Sequence, residues 1–293
     1  MTALSRRRFL TITAAALATP AGAVSVDWTG TGMGGALSVR LEGVTPAQAL
    51  RLQARIGAVV ARIEGLFSLH RDSALARLNR DGRLAYPAPD FLALCALAGQ
   101  VHAATGGRFD PTVQALWQAL AQGKDEAAAR KRIGWAQVAI RPEEIRLPPG
   151  AALTFNGIAQ GFAADCVAAL LRREGLRHVL IDMGEIATLG PRADGRSWRA
   201  AVQGPSGQAL AEVALAGRAL AVSSVLATRF ADGRGHILDP GGGPAVWSTV
   251  AVSAPSAALA DALSTAFCLM DRRAIARAQS AFAATRCEAL VPA

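Results

Sequence analysis

From residue 24 to residue 41 apolar and polar positions suggest strands around a glycine-rich turn at residues 30–35, and the run from Ala36 to Leu41 alternates like a half-buried strand. The period then changes. Thr45 as cap and Pro46 at the first helical position open a helix whose apolar residues (Leu50, Leu52, Ile56, Val59, Val60, Ile63, Leu66, Phe67) recur at helical spacing and predict a core helix. Residues 74–79 form a short helix that stops at Arg80, Asp81 and Gly82, and a second amphipathic helix runs from Ala88-Pro89-Asp90 to Thr105-Gly106-Gly107. A polar, charged stretch at residues 122–132, a solvated connection or a short helix, precedes strand-like alternation at residues 140–147.

The chain is organised around residues 152–190. These read as an apolar strand (151–155), a glycine turn (156–161), a helix and a second apolar strand (178–186), a βαβ-like order. Beyond them, residues 198–203 and 211–215 predict a hairpin joined through Gly204-Pro205-Ser206-Gly207, followed by a short strand at 219–224. A polar, glycine-rich loop carries His236, and a strand (248–252) and a helix (256–270) follow. Mostly antiparallel hairpins around a few core helices predict an α+β fold, with the βαβ-like stretch as the exception. Neither a linker nor a repeat divides residues 24–293, which are expected to form one domain.

Composition adds a leader. Ser5-Arg6-Arg7-Arg8-Phe9-Leu10 precedes a mildly apolar, alanine-rich run, and Ala21-Gly22-Ala23 supplies small residues for cleavage. Residues 1–23 therefore predict a Tat-type signal peptide cleaved near Ala23, and a periplasmic product. No cysteine near the cleavage region indicates a lipid anchor, and no other run is long and charge-free enough for stable membrane insertion. The formal net charge of +9 falls to +6 once Arg6, Arg7 and Arg8 are set aside with the leader. The remaining arginines are dispersed and not interleaved with aromatics, which argues against nucleic-acid binding. Cys95, Cys166, Cys268 and Cys287 show no metal-ligand spacing and read as small hydrophobes.

Three features carry chemistry. Gly157 and Gly161 remove side chains where a strand hands over to a helix, so backbone can approach an anionic, phosphate-bearing ligand. The spacing is neither GxGxxG nor a Walker A loop. On the last predicted helix Asp261 and Thr265 stand one turn apart, an oxygen pair suited to a hard ion such as Mg²⁺. His236 follows a glycine and precedes an Asp-Pro turn, Asp239-Pro240.

Met33-Gly34-Gly35, residues 68–79, Gly107 to Thr112, the central stretch, and His236 to Pro240 with residues 260–266 stand together in an order that resembles the ApbE family of FAD:protein FMN transferases. The resemblance implies an enzyme that cleaves FAD, attaches FMN through a phosphoester to a Thr or Ser of an acceptor flavoprotein, and releases AMP. It implies Mg²⁺ on Gly157 (through its carbonyl), Asp261 and Thr265, with His236 as base or acceptor-positioning group and Asp261 as alternative base. Flavin nucleotide contacts are implied for Met33, His70, Arg108, Phe109, Asp110, Thr154, Gln160, Gly184, Ser224 and His236.

This chain departs from the family pattern within that set. Thr154 replaces an aspartate, Gln160 a lysine and His70 an aromatic residue; Met183-Gly184-Glu185 replaces a two-glycine turn with aspartate, and Ser224-Val225 a Ser-Gly pair. A lost lysine removes a point charge near the pyrophosphate. An FAD pyrophosphatase and a non-catalytic flavin carrier are the alternatives.

Overall fold

The computed structural model describes residues 10–12, 25–204 and 206–293. In chain order the elements begin with strands β1 (Leu10–Ile12), β2 (Ser25–Gly32) and β3 (Gly35–Glu42), helices α1 (Pro46–Phe67) and α2 (Ala74–Asp81), strand β4 (Arg83–Ala85) and helix α3 (Pro89–Ala104). Next come α4 (Gln114–Ala121), α5 (Glu126–Arg130), β5 (Ala139–Ile140), β6 (Glu144–Arg146), α6 (Ala159–Arg173), β7 (Val179–Asp182) and β8 (Ile186–Leu189). The chain closes with β9 (Trp198–Gln203), β10 (Ala209–Leu215), β11 (Ala219–Ser224), β12 (Trp247–Ala254), α7 (Ala257–Phe267), α8 (Arg272–Ser280) and β13 (Arg286–Pro292).

A seven-stranded sheet in the order β13-β12-β11-β8-β7-β3-β2 is the frame, and every strand pairing among the described residues is antiparallel. The fold is α+β, as the pattern predicts. Both faces of its middle are covered, which period-two alternation makes possible. On β7, Val179 and Ile181 join the main core with helices α1, α3, α6 and α7, whereas Leu180 packs with Trp198, Ala200 and Val202 of β9 in a second cluster. A small sheet, β1-β9-β10, lies on that second face, and β4-β6-β5 forms a separate one.

Local chemistry sets the helix ends. Thr45 and Gln48 make a reciprocal capping box at the start of α1, with Pro46 at its first position. Ser73 caps α2, and Gly82 ends it in the left-handed region at φ +69°. Of the apolar residues predicted for α1, Leu52, Ile56, Val60, Ile63 and Phe67 are buried, but Leu50 is exposed.

Several expectations are corrected. Residues 151–155, all but Thr154 buried, form no strand: the Leu153 backbone exchanges two hydrogen bonds with the Asn79 side chain (2.7 and 2.8 Å), and Thr154 N–H donates to Pro111 O. The predicted strand 178–186 holds β7, which ends at Asp182; the chain turns at Met183-Gly184-Glu185, and β8 begins at Ile186 and pairs antiparallel with β7. The βαβ-like order is therefore not a parallel unit. Residues 140–147 likewise split into β5 and β6. Most of the predicted leader, with its arginines and cleavage region, lies outside the described residues, as does Pro205; Leu10–Ile12 pairs with β9. The four cysteines are free thiols, and burial pushes Cys95 up to about 12 and Cys287 up to about 11. No helix among the described residues is long and apolar enough to cross a membrane.

Gly161 is not part of the turn but lies in the first turn of α6, where that helix meets the start of α7. A Cβ at this position would stand 2.2 Å from the Ala257 carbonyl oxygen. Backbone cannot yield as a flexible side chain does. Gly161→Ala should therefore destabilise the chain by roughly 1–3 kcal/mol through overpacking, read as a lower urea midpoint. An unchanged midpoint would refute the close crossing.

Candidate functional site

Three pieces of backbone converge at this crossing: the turn at residues 156–158, the first turn of α6 and the middle of α7. Asp261 is buried, and its Oδ2 accepts the Gly161 N–H at 3.1 Å. That amide is among the first-turn donors of α6 that have no partner within their own helix, so a carboxylate there is doubly favoured. One turn along α7, Thr265 Oγ1 lies 2.8 Å from where a Cβ on Gly157 would stand. Glycine at 157 is what lets the hydroxyl come so close. Ser223 on β11 completes the group, with its Oγ 3.2 Å from Thr265 Oγ1 and 2.8 Å from Ser264 Oγ.

The tip of the β2–β3 hairpin reaches the first turn of α6 through Gln160. Met33 has φ +51°, a conformation that is strained for a residue with a side chain. Two helices hold it: Glu64 of α1 accepts its N–H at 3.0 Å, and Gln160 of α6 donates to its carbonyl at 3.1 Å. Arg71 lies 3.4 Å from the other Glu64 oxygen. Gly184, at φ +99°, abuts the Gln160 amide, which stands 2.5 Å from the position of a Cβ there. Met33, Gln160 and Gly184 thus form one patch at the first turn of α6.

His236 stands on the long loop between β11 and β12. Its Nδ1 lies 3.1 Å from Val225 O and 3.3 Å from Thr228 O. Carbonyls only accept, so Nδ1 carries a proton, and in the neutral form of the ring the lone pair stands on Nε2. Val225 follows directly on Ser223 and Ser224, so the histidine is tethered to the strand that supplies Thr265's partner. Farther along the loop, buried Asp239 accepts from Arg108, Gly241 N–H and Gly243 N–H, while Arg130 donates to Asp239 O and Pro240 O.

Other predicted ligand residues have posts in the framework. The Asp110 carboxylate accepts from Thr112 N–H (2.8 Å) and from Trp135 N–H (3.3 Å), and Phe109 is buried in the main core. Thr154 Oγ1 accepts the Asn156 N–H, and the buried Ser224 hydroxyl accepts from Thr249. His70 is exposed on the loop after α1 and has no contact joining it to the group among the described residues. The sequence pattern did not single out Glu64, Ser223 or Arg130. Only Glu64 left a signal, an acid between Ile63 and Leu66 on an otherwise apolar helix turn.

Gly157, Asp261 and Thr265 offer hard oxygen donors with only one carboxylate, which suits Mg²⁺ that shares its shell with phosphate oxygens and water. Among the described residues no group of three or more His, Cys, Asp or Glu could hold a metal by itself. An open cleft of about 450 Å³, lined by Arg80, Asp81, Arg83 and Arg146, contains none of the predicted site residues.

Comparison with known proteins gives the chain's family and relatives. The ApbE family model matches residues 33–290. The chain is 28% identical over 277 residues to the FAD:protein FMN transferase of Klebsiella pneumoniae (85% of this chain, 79% of the relative). It is also 28% identical to the enzyme of that name from Salmonella typhimurium over 262 residues (80% and 75%). Among solved structures, the apo flavinyl transferase ApbE of Pseudomonas stutzeri superposes with a TM-score of 0.77 at 27% identity, covering 88% of both chains. The Thermotoga maritima ApbE protein gives 0.79 at 22% identity, covering 92% of this chain and 97% of its own.

Because Asp239 is buried and Arg108 is, among the described residues, the only cation paired with its carboxylate, Arg108→Ala should cost roughly 1–3 kcal/mol of stability in a urea titration. A loss of FAD affinity with unchanged stability would instead assign Arg108 to the ligand.

Proposed function

The chain belongs to the ApbE family, and on that premise we propose that it is a Mg²⁺-dependent flavin transferase that moves FMN from FAD onto a Thr or Ser hydroxyl of an acceptor flavoprotein. The observation that carries this reading is the meeting of Asp261, Thr265 and Gly157 at the start of α6. Periplasmic export through the Tat leader belongs to the same proposal, as does the assignment of residues 24–293 to one transferase domain.

In the proposed reaction the acceptor hydroxyl forms a bond to the FMN phosphorus, the pyrophosphate P–O bond to AMP breaks, and the hydroxyl proton passes to a base. Bound Mg²⁺ would neutralise charge on the pyrophosphate oxygens. Asp261 and Thr265 would hold it from α7 and the Gly157 carbonyl from the turn. His236 would take the proton at Nε2, since its Nδ1 is committed to the Val225 and Thr228 carbonyls. Met33, Gln160 and Gly184 would present backbone and amide groups to the flavin nucleotide, with no charge where relatives of the family pattern carry lysine. Neutral groups at Thr154 and Gln160 would leave phosphate neutralisation to bound Mg²⁺.

Purified chain incubated with FAD, Mg²⁺ and an acceptor domain should label the acceptor, read as covalent flavin fluorescence in a denaturing gel. AMP release without label would make it an FAD pyrophosphatase, and bound but uncleaved FAD a carrier. Asp261→Ala should abolish Mg²⁺-dependent labelling while the chain stays folded by circular dichroism; full activity would remove Asp261 from the metal site. His236→Ala should lower kcat by roughly 10²–10⁴-fold with a small change in FAD affinity. A pure affinity loss would make His236 a binding residue.

A further inference from the structure

Asp165 lies on α6, outside the proposed site, yet it faces α7. Its two carboxylate oxygens accept the N–H groups of Ala257 (2.8 Å) and Ala258 (2.9 Å), the first two residues of that helix. Ser256 Oγ takes the Leu259 N–H, and Ser256 O takes that of Ala260. The N–H groups of the first three residues of α7 are therefore satisfied, two of them from another helix, and Ala260 makes the first bond within the helix itself. The tie is returned one turn earlier on α6, where Gly161 N–H donates to Asp261 of α7. Each helix thus supplies the carboxylate that caps the other. Burial pushes the Asp165 carboxyl above the usual carboxylate range, against the hydrogen bonds from Ala258, Ala257 and Ser256 that pull it down.

We infer that Asp165 is a positioning residue: by pinning the start of α7 to α6 it fixes Asp261 and Thr265 against the Gly161 amide and Gly157. The inference rests on the metal reading above. Four residues separate Asp165 from Gly161 on α6, and four separate Ala257 from Asp261 on α7, so both ties lie on facing turns. With Gly161 allowing backbone contact at Ala257, two cross-helix bonds on one side and one on the other leave α7 no freedom to slide or rotate. A helix cap made by a local side chain would stabilise α7 without fixing where its later residues stand. A cap from α6 does both.

The test uses the full chain with Asp165→Ala and Asp165→Asn, the latter keeping one acceptor oxygen. Two quantities are read: exchange of the Gly161 amide proton by NMR, without metal, and Mn²⁺ affinity by calorimetry. D165A should speed Gly161 exchange and weaken Mn²⁺ binding, each by roughly tenfold or more, with D165N between it and the parent. If D165A does not fold, D165N carries the same comparison. Faster exchange at Ala257 and Ala258 alone, with Gly161 exchange and Mn²⁺ affinity within about twofold of the parent, would reduce Asp165 to a local cap and overturn the inference. A parent chain that binds no Mn²⁺ would sink the metal reading instead, and the Gly161 amide would still decide the tie.

Discussion

The close approach of α6 to the start of α7 is the constraint on which the rest depends. It exists because Gly161 has no side chain where the Ala257 carbonyl passes. Once two helix starts lie so near, each exposes amide donors that water cannot reach, and leaving them unpaired would cost more than the contact returns. Asp165 and Asp261 answer that need from opposite helices. The proposed ion site is thus a by-product of satisfying backbone, since the carboxylate that caps α6 is also the one that Mg²⁺ would use. In the proposed reading, function and stability share one side chain.

Around that crossing, the sheet acts as a shelf for the pieces that must reach it. Strand β11 packs beside α7 and delivers Ser223 to Thr265, then releases the loop that bears His236. The β2–β3 hairpin, at the opposite edge of the same sheet, brings Met33 to Gln160. Met33 keeps its strained backbone because Glu64 and Gln160 grip both its amide and its carbonyl. Strain held from two helices in this way is a mark of a functional position more often than of a packing accident. The loop bearing His236 is secured at its far end by Arg108 and Arg130 on Asp239 and its neighbour. Those two arginines therefore serve the loop's shape, whatever else they touch.

Local sequence chemistry determined a good deal. Thr45 with Pro46, Ser73 with Gly82, and the helical spacing of Leu52, Ile56, Val60 and Ile63 specify α1 and α2 from neighbouring residues alone, so they were legible. The hairpins β2–β3 and β9–β10 were legible for the same reason. The pair Asp261 and Thr265 could be read because one helical turn relates them. Tertiary structure decided the rest. Residues 151–155 have the apolar character of a strand, but their hydrogen bonds go to the Asn79 side chain and a loop carbonyl, partners far along the chain. The run 178–186 looks continuous because β7 and β8 are buried on both faces, which erases the alternation that would have marked the turn at Gly184. The role of Gly161, the grip of Glu64 on Met33 and the tie from Asp165 to α7 all join residues dozens of positions apart. Spacing along a chain encodes what one helix or strand will do with itself; which two backbones pass within contact, and which carboxylate then caps which helix, is fixed only when the whole core closes.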